Sequence, residues 1–113
     1  MEQFILLFRG SDVYQKDQSP EALQQLTVKM IDWVTKLVKN GLHVSSEKFQ
    51  QSGKQVNGTK HTVTDKPFGE AKDVIGGCTI VRARNIGEAV EIARSCPILE
   101  TNANIEIRLI QTV

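Results

Sequence analysis

No apolar run in the sequence is longer than Phe4 to Phe8, and Arg9 closes it. Five residues are too few for a membrane span or for the apolar segment of a signal peptide, so the expectation is a cytoplasmic protein with no membrane partner. Charge of one sign is also missing. Lys and Arg total 14 against 13 Asp and Glu, for a net charge of +1. A nucleic-acid binder would need a basic face. The loose group Lys54, Lys60 and Lys66 is broken by polar residues and has no aromatics between its members, so no nucleic-acid partner is expected.

Cysteine is scarce. Cys78 and Cys96 lack the spacing of a metal or redox motif and read as small, free core thiols. The two histidines, His43 and His61, have no third ligand near them in sequence. With no phosphate loop and no nucleophile motif either, no metal or cofactor is expected, and composition names no reaction.

What is present is a foldable pattern. The chain has 113 residues, 40% of them apolar, which suits one domain over residues 1–113. Phe4 to Phe8 is apolar at every position and reads as a strand buried on both faces. Ser19 and Pro20 announce a helix, with Ser19 as N-cap, and Asn40 and Gly41 end it. Between them Leu23, Leu26, Met30, Trp33 and Leu37 recur at three and four, which predicts an amphipathic helix of about 21 residues with Trp33 in the core. A weaker strand over Leu42 to Phe49 follows, in which His43 reads as structural.

Asn57 and Gly58 mark a hairpin. Alternation there places His61, Val63 and Asp65 on one face. The irregular segment Asp65 to Gly77 links this hairpin to a strand, Cys78 to Ala83, with Gly76 and Gly77 at its start or in a bulge. Asn85 caps a second helix whose apolar positions run from Ile86 to Cys96, and Pro97 stops it. A last strand lies within Asn104 to Gln111. Two β-α-β halves of this kind predict a ferredoxin-like α+β sandwich, βαββαβ, with a β-hairpin insert. Its two helices cover one sheet face, so the apolar second face of the first strand predicts a homodimer with sheets packed face to face.

Polar residues facing that intersubunit cleft are the candidates for function. Arg9 and Arg108 could neutralise an anionic small molecule, with Asp65 or His61 moving a proton. The plainer alternative makes Glu106 and Arg108 an ion pair and Arg9 a solvated strand end. Asp65 has a structural alternative as well, fixing the loop before Pro67 while Phe68 anchors it.

The run Val63, Thr64, Asp65, Lys66, Pro67, Phe68, Gly69, Glu70, Ala71, Lys72, followed by Gly76 and Gly77, resembles the signature of the YCII-related family, in particular its DGPF subgroup. The N-terminal strand ending in Arg9 and Gly10, the residues Glu88, Ala89 and Ala93, and the closing Ile105, Glu106, Ile107 and Arg108 share in the resemblance. It implies a ferredoxin-like subunit that dimerises as an α/β barrel. It implies two kinds of role: a cofactor-independent lyase or isomerase, because a related member is a dehydrochlorinase, or a regulatory module linked to an extracytoplasmic-function sigma factor. Lys66 stands where the family usually has Gly, and Leu109 where it usually has Pro. No catalytic residue carries over by motif, so Asp65 as catalytic residue, and Arg9, His61, Phe68 and Arg108 as ligand-binding residues, rest on the cleft argument.

Overall fold

The computed structural model of the chain describes residues 1–10, 19–50, 52–65 and 74–111. Strand β1 (Glu2–Arg9) leads to helix α1 (Pro20–Lys39) and strand β2 (His43–Lys48). A hairpin of β3 (Gln55–Asn57) and β4 (Thr62–Thr64) follows, then β5 (Ile75–Ala83), α2 (Ile86–Arg94), a 3₁₀ turn (Pro97–Glu100) and β6 (Asn104–Leu109). The main sheet has the order β2-β5-β1-β6, antiparallel throughout, and the hairpin forms a second, two-stranded sheet. This is the expected α+β architecture and is compatible with a ferredoxin-like fold.

The helix ends form where their cap residues stand. Ser19 accepts a hydrogen bond from the Ala22 N–H, and Gly41 takes the left-handed conformation (φ 70°) that closes α1. At α2 the Asn85 side chain accepts from the Glu88 N–H, while Glu88 reaches back to the backbone N–H and guanidinium of Arg84. Those bonds, the guanidinium's first, hold the Glu88 carboxyl below its ordinary value of 4.5. Helix α2 ends at Arg94, not at Cys96 as the apolar periodicity suggests. The residue before a proline is driven out of the helical region, and Cys96 is extended (φ −74°, ψ 124°) ahead of Pro97.

Cross-strand register sorts the sheet faces. Phe4, Leu6 and Phe8 lie opposite Val81, Thr79 and Gly77 on β5 and Leu109, Ile107 and Ile105 on β6. Phe4, Leu6, Phe8 and Val81 join Leu26, Trp33 and Leu37 of α1 and Ala89 and Ala93 of α2 in one buried core. Both helices thus pack on that face. Ile5 and Leu7, with Ile80 and Cys78 beside them, form the other face. Ile5 and Leu7 are only half-buried, so the described residues leave that face of β1 partly open. The glycine pair does mark a bulge: Phe8 pairs with Gly77 and Arg9 with Ile75, leaving Gly76 as the extra residue.

The core also satisfies its one indole. Trp33 is 6% exposed, and its Nε1–H donates to the Ser95 hydroxyl at 2.9 Å. Replacing Ser95 by Ala should strand that donor and lower stability by about 1–3 kcal/mol, read from denaturant unfolding followed by Trp33 fluorescence. Burial pushes the Cys96 thiol up to about 11 from an ordinary 9.0. A raised pKa gives stability that is complete below the ordinary thiol range and is lost as pH climbs from 9.0 toward 11. The unfolding midpoint should fall across that window by less in Cys96→Ala than in the parent chain.

Candidate functional site

The uncovered sheet face holds a charged cluster at one end. Arg9 Nε donates to Glu106 Oε1 at 2.9 Å, and Arg108 Nη1 reaches Glu106 Oε2 at 3.4 Å. Arg9 and Glu106 sit on neighbouring strands, so Glu106 gathers both arginines, one across the sheet and one along its own strand. Cys78 lies on this face beside Glu47. Burial, and next the Glu47 carboxylate, raise its thiol above 9.0.

The hairpin candidates lie elsewhere. The Asp65 side chain is 70% exposed and faces Lys54 Nζ at 3.5 Å. His61 is exposed and belongs to the turn, not to the strand face expected from alternation. The loop spans Gly58 to His61, with both ends in the left-handed region (φ 63° and 55°), so the alternation starts only at Thr62. Phe68 lies outside the described residues. Arg9 and Arg108 thus come together, while neither Asp65 nor His61 shares a hydrogen bond or ion pair with them.

On the opposite, helix-covered side a cavity of about 280 Å³ opens between α1 and the β2–β5 edge. Its walls are Met30, Ile31 and Val34 of α1, Phe8 of β1 and Ile98 of the 3₁₀ turn. Its floor is low because the residues under α1 are small: Gly76, Gly77, Ser46 and Thr79. Gly77 has no freedom to be larger. A Cβ built there would stand 2.6 Å from the Glu47 carbonyl oxygen, closer than two strands allow.

The floor carries a chain of hydrogen bonds. His43 Nε2 lies 2.9 Å from Ser46 Oγ, which lies 3.0 Å from Thr79 Oγ1. Thr79 is 1% exposed and belongs to the core by position. Sequence reasoning does not find this set. Residues three apart on a regular strand point to opposite faces, so His43 and Ser46 look unrelated. A register shift between His43 and Ser45 brings both to the helix side, His43 opposite Val81 and Ser46 opposite Thr79. The weak signal in the sequence is the small polar pair Ser45 and Ser46 within an otherwise apolar-edged strand.

Among the described residues no three His, Cys, Asp or Glu side chains gather as metal ligands, and no helix is long and apolar enough to cross a membrane. No curated protein matches the chain. A family model described as the YCII-related domain does match, over residues 12–112. That span takes in both helices and every strand after β1, and on it the chain belongs to the YCII-related family.

Proposed function

We propose that this protein binds a small organic molecule and works as a homodimer. The cavity under α1 carries the ligand reading. A cleft of about 280 Å³ with apolar walls and a hydrogen-bonded hydroxyl pair at its floor has the build of a small-molecule site. Binding is favoured over catalysis because Asp65, the proton acceptor that a cofactor-independent lyase or isomerase would use, is not among the residues lining it. Neither are Arg9, His61 and Arg108; in this reading the two arginines stand at the rim of the intersubunit face, and His61 stays on the hairpin.

The half-buried Ile5 and Leu7 support the dimer. Apolar side chains at the centre of a sheet lack cover within the subunit, and an identical sheet supplies a matching surface by two-fold symmetry. In that arrangement the Arg9–Glu106–Arg108 cluster lines the edge of the interface and sets its register. The DGPF subgroup, resting on Asp65, Pro67 and Phe68, is the finer family placement we propose. A regulatory module responding to an effector would use the same cavity.

Light scattering on a gel-filtration column should give about twice the subunit mass of 12.6 kDa. Leu7→Lys, which buries an ammonium at the interface, should elute as a monomer with an unchanged far-ultraviolet circular dichroism spectrum. A parent chain that runs as a monomer overturns the dimer.

A further inference from the structure

We propose that the ligand of the α1 cavity is a small apolar carboxylic acid, its chain or ring against Met30 and Val34 and its carboxylate between the Ser46 hydroxyl and the Lys48 ammonium. This rests on the small-molecule reading above and adds the chemical class. Size comes first. A cavity near 150 Å³ takes a benzene ring, so about 280 Å³ suits roughly eight to twelve non-hydrogen atoms. Phe8, Met30, Val34 and Ile98 make the walls largely apolar, and the Thr27 hydroxyl on the same helix already donates to the Leu23 carbonyl, so no wall residue among those described offers a ligand a second proton.

The polar end is set by β2. Ser46 and Lys48 lie two apart, opposite Thr79 and Gly77, so both belong to the helix side of the sheet and both contribute to the cavity. Thr79 can give its proton to Ser46, and His43 Nε2 can do the same, each within 3.0 Å. With both neighbours donating, the Ser46 hydroxyl keeps its own proton for a ligand oxygen.

Lys48 completes the choice of charge. Among the described residues its ammonium has no carboxylate or hydrogen-bond partner, whereas those of Lys29, Lys36 and Lys54 each have a carboxylate. Glu47 also borders the cavity, but its pairing with Cys78 directs its side chain to the other sheet face. The charge nearest a ligand on this side is therefore positive. A carboxylate meets one hydroxyl donor and one ammonium, and an amide or alcohol of the same shape meets only the hydroxyl.

Isothermal titration of the full chain with octanoate, octanamide and octylamine tests this. Octanoate should bind at least tenfold more tightly than octanamide, and octylamine should not bind. Lys48→Met should remove the difference between acid and amide, and Ser46→Ala should weaken both. Ile31→Trp, at a 62% exposed position on the rim, should block every compound without disturbing the fold; Thr27→Trp is a second blocking variant on the same helix. Equal binding of octanoate and octanamide overturns the acid and leaves the small-molecule reading standing. Binding that persists in both tryptophan variants overturns the cavity as its place. No binding by octanoate or by phenylacetate, with the parent chain folded, overturns the acid; a neutral fragment set then decides the broader reading, which falls if none of its members binds.

Discussion

Strand β1 has apolar side chains on both of its faces, and two helices can cover only one. From that follows most of the layout. Phe4, Leu6 and Phe8 sit under α1 and α2 with neighbours on both sides, while Ile5 and Leu7 stay half-buried against Ile80 and Cys78. Full burial of an Ile or Leu side chain is worth about 1.5–3 kcal/mol, which is the weight behind the dimer proposed above, whereas Cys78, 8% exposed, is already buried within the subunit. The charged cluster stands at one end of that face, where Glu106 pairs with Arg9 across the sheet and with Arg108 along its own strand.

The helix side is shaped by a second constraint, the close approach of β2 to β5. The Glu47 carbonyl leaves no room for a side chain at Gly77, and the next residues on that face, Ser46 and Thr79, are small. Helix α1 cannot sink into the gap, because Leu26, Trp33 and Leu37 already fix its height over the core and the Trp33 indole is tied to Ser95. What remains beneath Met30 and Val34 is a cavity. It is thus a consequence of backbone packing, and the polar atoms in it come from residues whose first task is to pair two strands.

The elements themselves are legible in the sequence because their signals are local. Ser19, Pro20, Asn40 and Gly41 bound α1 within one residue, and Asn85 starts α2. The limits of local reading are equally physical. Cys96 continues an apolar period that Pro97 cuts short, and His61 falls before an alternation that begins only after the loop. Arg9 and Glu106 are 97 positions apart, and nothing local tells that they meet.

The sequence by itself determines the order of strands and helices and the two apolar faces of β1, since each depends on caps and periodicity within a few residues. Only the tertiary structure decides where a ligand could go. The His43–Ser46–Thr79 chain needs a register shift in β2 and the pairing of Ser46 with a residue 33 positions away, and both arise from sheet packing, which periodicity does not encode.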